Sequence, residues 1–304
     1  MSDPTNKQRV VFLEGGEDVD PDEEYKKLVE EATIEECALQ LPRGYISVSQ
    51  IDTYRMCPLR YKYRYIDGLI RPPNVNLAEG KAVHHGVATG HLELLKSGKL
   101  PVDVLLDAHS DSWKRERGDI AWEDDDDNEN TILKRDRQFL VDYHKKFIPQ
   151  LETQLHEGRP AVEHRFWVTM GQARVPVLGF IDLVARNSTK PSKGAEGSGE
   201  IEVIDHKVVT KMKSQSDVDS SIQLSVYAGV MKVPRVRFQC FVKTKSPYIG
   251  AVAAVHGARH WRWAEFVVQQ IAQCISAGVF PPGADGWHCS EKYCGYWDIC
   301  RGKG

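Results

Sequence analysis

Two aspartates stand in strands that should be apolar, and any fold for this chain has to accommodate them. In Leu178–Val184, strand alternation puts Phe180, Asp182 and Val184 on one face. In Ile201–Lys207 (IEVIDHK), Ile201, Val203, Asp205 and Lys207 share a face. A carboxylate among apolar side chains is costly unless it is paired or binds a cation. Strand geometry sets the Asp205 and Lys207 α-carbons about 6.6 Å apart, with both side chains projecting the same way. Two acids on neighbouring strands, with a lysine two residues on, make a site for a hard divalent cation such as Mg²⁺ or Mn²⁺. The ammonium can orient an attacking water or help deprotonate it. The plainer alternatives are a strand-end salt bridge at Asp182 and a surface Asp205–Lys207 pair. Ile201 and Val203 weaken the second, because they mark that face as the buried one.

The surrounding pattern supplies strands and helices. Strand-like runs fall at Val162–Thr169, Val175–Ala185, Ile201–Val209, Arg235–Lys243 and Ile249–Val255. Helical periodicity predicts Ala78–Lys96, Thr131–Leu155, Val218–Met231 and Trp263–Ala277. A further helix, capped by Ser49, is expected to run to Cys57, and a short one to cover Lys26–Leu39. Helices followed by a hairpin-rich sheet with a crossover helix predict an α/β or α+β core. On its helix His84 shares a face with Val87, Ala88, His91 and Leu95 and so points inward, whereas His85 falls with Lys81, Thr89 and Lys96. A lone inward histidine is more often a core residue than a ligand, so the case for His84 depends on the two aspartates. Gln223 and Tyr227, at i and i+4, put polar tips on one face of an apolar helix and could line a cleft.

Seven cysteines in 304 residues form no disulfide framework. The odd count, at an amino end without a secretory pattern, predicts reduced thiols or a metal site. Cys289, Cys294 and Cys300 cluster in WHCSEKYCGYWDIC, one thiolate short of a tetrahedral set. Cys57, in the aromatic and basic stretch TYRMCPLRYKYRY, is the best fourth ligand. Cys240 and Cys274 read as ordinary buried thiols, and Cys37 lies in an acidic leader. A clip closing so long a loop is structural first, with metal binding coupled to folding. Spacing alone leaves zinc and iron–sulfur open. Tyr61, Tyr63 and Tyr65, with Arg60 and Arg64, could either stack single-stranded DNA or pack around the metal.

In order along the chain come SVSQIDTYRMCPLRYKYRY, GKAVH, the Val162-Glu163 strand, GFIDLV, VIDHK, QLSVY and the terminal cysteines. The series resembles the RecB-like branch of the PD-(D/E)xK nucleases, in particular its iron–sulfur subgroup. That subgroup includes the AddB nuclease domain and the CRISPR-adaptation exonucleases. The resemblance covers about residues 44–301 and implies a restriction-endonuclease-like core, a mixed central sheet flanked by helices. An iron–sulfur subdomain would join the amino- and carboxyl-terminal segments. Carried over, it implies His84, Asp182 and Asp205 as metal ligands, with the His206 carbonyl completing the shell. Lys207 becomes the catalytic lysine, and Gln223 and Tyr227 help hold it and the DNA. Cys57, Cys289, Cys294 and Cys300 become ligands of a [4Fe–4S] cluster. Glu163 aligns with a family acid of variable role and ranks lower. Val208 replaces the usual threonine, and position 206, often tyrosine, is histidine here.

The implied domains are an acidic, flexible extension at 1–42, a cluster region at 43–70 and 286–304, a helical region at 71–160 and a nuclease core at 161–285. The implied activity is metal-dependent hydrolysis of DNA, with an exonuclease on single strands favoured. The alternative is a non-catalytic iron–sulfur or zinc DNA-binding scaffold in a recombination, repair or CRISPR-adaptation complex; phage DNA metabolism is equally compatible. No GxxxxGK[ST] motif occurs, so any helicase partner is a separate chain. No apolar run of about 18 residues suggests a membrane span, and a cytoplasmic location is expected. The net charge of −3 argues against a simple basic coat for nucleic acid. Residues 1–42, however, carry twelve acids against four bases, so the rest of the chain is net positive. The leader, or the loop Asp124–Asp127, is expected to lie over the DNA path and temper nonspecific binding. Asn187–Gly199 reads as a hairpin tip.

Overall fold

A computed structural model describes residues 10–12, 20–31, 33, 37–122, 127–188, 199–283 and 286–302. In chain order the strands are β1 (Val10–Phe12), β2 (Ile46–Ser47), β3 (Leu151–Thr153), β4 (Leu155–His156), β5 (Arg159–Pro160), β6 (Val162–Met170), β7 (Val175–Asn187), β8 (Ile201–Val209), β9 (Arg235–Val242) and β10 (Tyr248–Val255). The helices are α1 (Pro21–Glu30), α2 (Val48–Met56), α3 (Pro58–Tyr61), α4 (Val75–Ser97), α5 (Val102–Glu116), α6 (Glu129–Lys146), α7 (Gln215–Asp219), α8 (Ile222–Met231), α9 (Ala258–Ser276) and α10 (Trp297–Arg301). They divide into two compact units. One comprises Met1–Arg71, Arg165–Phe180 and Arg262–Gly304, and the other Pro72–His164 and Ile181–Trp261.

The second unit carries a mixed sheet. β8 pairs antiparallel with β7 and parallel with β9, and β9 pairs antiparallel with β10. The parallel step needs a crossover, which α7 and α8 supply. Val83 and Val87 of α4, Leu105 of α5, and Phe139, Leu140 and Tyr143 of α6 pack with Leu183, Ile204 and Phe241 of the sheet in one buried core. The result is a mixed α/β core with helices on a central sheet. In the first unit β1 pairs antiparallel with β6, and β2 runs parallel to β7. There Tyr25 and Leu28 of α1 are buried with Tyr45, Trp167 and Leu178. Glu24 accepts the Trp167 indole N–H at 2.8 Å and pairs with Arg165.

Several element ends differ from expectation for local reasons. Ser47, not Ser49, caps α2, because Gln50 reciprocates at the third helical position and forms a capping box. The helix expected over Thr131–Leu155 stops at Lys146. Pro149 disfavours helix at the residue before it, and a 3₁₀ turn over Ile148–Gln150 leads into β3. Val218–Met231 is two helices, since the Ser221 hydroxyl accepts the Leu224 N–H and starts α8 afresh. The helix expected at Lys26–Leu39 lies at Pro21–Glu30, started by Asp20 and the proline after it. α5 was not expected. Its buried face, Leu105, His109, Ser112 and Trp113, is half polar, which blunts the apolar period. Most of the Asn187–Gly199 tip and residues 123–126 of the acidic loop lie outside the described residues. Asp127 pairs with Arg135.

Gly86 lets α4 approach α5. A Cβ there would stand 2.8 Å from the Leu105 carbonyl oxygen and 3.3 Å from His109 and Leu140 atoms. Gly86→Ala should gain about 1 kcal/mol of helix propensity but cost about 1–3 kcal/mol in overpacking. A lower urea midpoint is the expected outcome; an unchanged or higher one would show that the helices separate freely.

Candidate active site

β7 and β8 bring the aspartates together. Their register pairs Leu183 with Ile204, and Asp182 and Asp205 lie one residue further along each strand. There side-chain chemistry takes over from the ladder: the His206 backbone N–H donates to Asp182 Oδ2 at 2.7 Å. His84, half-buried on α4, reaches both groups. Its Nε2 lies 2.8 Å from the His206 carbonyl oxygen, and its Nδ1 lies 3.4 Å from Asp182 Oδ2. His85, one residue on, is exposed.

Glu163 joins them. One ligand atom each from His84, Glu163 and Asp182 lie within 4.8 Å of one another. Glu163 has a φ of 45°, a left-handed conformation uncommon for a residue with a side chain. Such strain costs about 1–3 kcal/mol and concentrates at functional sites. Ranked low from sequence, Glu163 shares this triad; its unusual backbone is a tertiary effect that no sequence signal announced.

Asp205 makes a different contact. Its Oδ2 lies 2.7 Å from Lys207 Nζ. Lys207 also donates to Gln223 Oε1 at 3.1 Å, and Gln223 Nε2 donates to the Tyr227 hydroxyl at 3.0 Å. The i, i+4 pair on α8 thus grips the lysine head. Burial works against the Asp182 charge, but His84, His206 and Lys207 together outweigh it and hold its carboxyl well below the usual range. For Asp205, burial dominates; Lys207 opposes it, Asp182 adds to it, and the carboxyl is pushed up to about 6. Asp205 Oδ1 is buried and accepts no hydrogen bond among the described residues. Three carboxylates, an imidazole and a carbonyl, with one buried oxygen unsatisfied, fit a hard divalent cation.

A second constellation lies in the first unit. Cys57, Cys289, Cys294 and Cys300 line one cavity, together with His288 and Tyr296. Cys57 Sγ accepts N–H groups from Arg60 at 3.4 Å and Gly283 at 3.2 Å, and Arg301 lies 3.8 Å from Cys289 Sγ. Donors directed at sulfur suit thiolates that bind metal. The donor set therefore fits a thiolate-held group. Tyr61 is buried, with its ring stacked on Phe280 at 6.3 Å, so it is closed to bases. Tyr63 packs 5.5 Å from Tyr296.

The sequence matches the PD-(D/E)XK nuclease superfamily over residues 45–301. The chain belongs to that superfamily. Nucleases of this superfamily use divalent metals. No curated protein matches the chain. Among solved structures, a candidate exonuclease from Eubacterium rectale is similar at 11% identity and a TM-score of 0.44, covering 91% of this chain and 93% of its own. The protein SSO0001 is similar at 14% identity and a TM-score of 0.36, covering 91% and 92%. Among the described residues no helix is long and apolar enough to cross a membrane.

Because the Asp205 carboxyl keeps its proton up to about pH 6, a cation binding below that pH must displace it. Mn²⁺ affinity measured by calorimetry should therefore fall as pH drops through about 6, by up to about tenfold per unit. A flat profile between pH 5 and 7 would contradict this.

Proposed function

We propose that this nuclease-superfamily chain is a metal-dependent deoxyribonuclease of the RecB-like, iron–sulfur type, acting as an exonuclease on single-stranded DNA. The observation that carries the reading is the Asp205–Lys207 pair at 2.7 Å beside the grouped His84, Glu163 and Asp182. His84, Asp182, Asp205 and the His206 carbonyl would hold Mg²⁺ or Mn²⁺, with Glu163 as a further carboxylate. When bound, the cation polarises the scissile phosphate and lowers the pKa of a coordinated water. Lys207, gripped by Asp205 and Gln223, positions that water and offsets charge on the phosphate. Tyr227 anchors Gln223. Cys57, Cys289, Cys294 and Cys300 would hold a [4Fe–4S] cluster that ties the start of the chain to its end; the resemblance to the iron–sulfur subgroup and the shared cavity support this. A separate helicase or recombination protein is the expected partner.

Two measurements test the proposal. Wild-type protein should degrade end-labelled single-stranded DNA with Mg²⁺ or Mn²⁺, and Lys207→Ala should lose at least about a hundredfold in rate. Equal degradation by both, or none by either, sinks the catalytic reading and favours the DNA-binding scaffold. An anaerobic preparation should be brown with broad visible absorbance that Cys289→Ser abolishes. A colourless protein with one zinc per chain refutes the cluster.

A further inference from the structure

His206 sits beside the candidate cation site, yet its ring points away from it into the core. The ring is 2% exposed. On one side its Nδ1 faces Asp182 Oδ2 at 3.7 Å. On the other, its Nε2 lies 3.2 Å from the Tyr143 hydroxyl. The same hydroxyl lies 2.9 Å from His91 Nε2, and His91 Nδ1 lies 2.8 Å from Thr153 Oγ1. His91 and Tyr143 are fully buried. A line of polar groups therefore runs from β3 through α4 and α6 to the catalytic end of β8.

The protons in this line can be placed from chemistry. Burial pushes the His91 imidazole down to about 3, so it is neutral, donating through one nitrogen and accepting at the other. Tyr143 likewise donates once. If Tyr143 donated to His91, the proton of His206 would sit on Nε2, and its bare Nδ1 lone pair would face the Asp182 carboxylate. Such lone-pair repulsion in a buried site is unfavourable. In the opposite order Thr153 donates to His91, His91 to Tyr143 and Tyr143 to His206. His206 then presents Nδ1–H to Asp182, beside its own backbone N–H at 2.7 Å. Only this order lets both His206 groups, the ring and the backbone N–H, present a proton to the carboxylate.

We propose that Tyr143 is a positioning residue: with His91 and Thr153 behind it, it fixes the Nδ1–H tautomer of His206. It thereby orients the Asp182 carboxylate and the His206 carbonyl for a divalent cation. This rests on the metal-site reading above and extends it to groups that touch neither substrate nor cation. Partners that orient a metal ligand from behind typically change affinity by about 10–100-fold.

The test pairs two readouts on the full chain. In protein labelled with ¹⁵N-histidine, the imidazole nitrogen spectrum should report Nδ1–H at His206 in wild type and a mixed or Nε2–H state in Tyr143→Phe. Mn²⁺ affinity by calorimetry, measured below the variant's own melting transition, should fall about tenfold in Tyr143→Phe. Thr153→Val, nearly isosteric and one step further away, should weaken binding in the same direction but less, and it replaces Tyr143→Phe if that variant does not fold. Asp182→Asn separates the two claims. If it leaves Mn²⁺ binding intact, the metal-site reading fails. If it abolishes binding while Tyr143→Phe binds like wild type with an unchanged tautomer, the positioning proposal alone is overturned.

Discussion

The Asp182 charge is the constraint to which the surrounding structure answers. Its carboxylate is buried, and a second buried carboxylate, Asp205, lies on the neighbouring strand. Two such charges in a low-dielectric interior are expensive unless nearby groups compensate them. The second unit supplies those groups from separate elements: His84 from α4, the His206 backbone and ring from β8, and Lys207 held by Gln223 of α8. Even so, the Asp205 carboxyl is pushed up to about 6. The arrangement keeps one acid charged and leaves one oxygen of its neighbour without a hydrogen-bond partner among the described residues, the setting that the proposed divalent cation would answer.

The same logic explains why polar groups penetrate the helical layer. His91, Tyr143 and Thr153 occupy positions that an ordinary core would fill with aliphatic side chains, and each has its partner. His109 and Asp136 pair at 2.9 Å between α5 and α6, although Asp136 Oδ1 accepts no hydrogen bond among the described residues. Buried networks of this kind rigidify a core when fully satisfied. In the first unit the comparable organising feature is the thiol cavity, where Cys57 meets residues more than 200 positions later in the chain. Glu24, bound by Arg165 and Trp167, seats α1 there, so part of the acidic leader is built into a packed unit.

Much of this was legible residue by residue. The alternation around Asp182 and Asp205, the inward His84, the i, i+4 spacing of Gln223 and Tyr227 and the clustered cysteines are local patterns, and the main strands follow them closely. Misplaced ends had local causes too, at Pro149, Ser221 and the Ser47–Gln50 capping box. Elements with mixed faces were the hard ones. α5 buries His109 and Ser112, so its apolar stripe is broken, and β1 is too short to carry a period.

The sequence by itself determined which side chains are candidates for the chemistry and the elements that carry them, because strand and helix periods are properties of adjacent residues. Only the tertiary structure decided that Glu163 joins His84 and Asp182, that Tyr61 is buried packing, and that His91 and Tyr143 stand behind His206. Those outcomes depend on a left-handed backbone at one residue and on contacts between elements distant along the chain. Neither leaves a periodic trace, since the partners are chosen by packing in three dimensions.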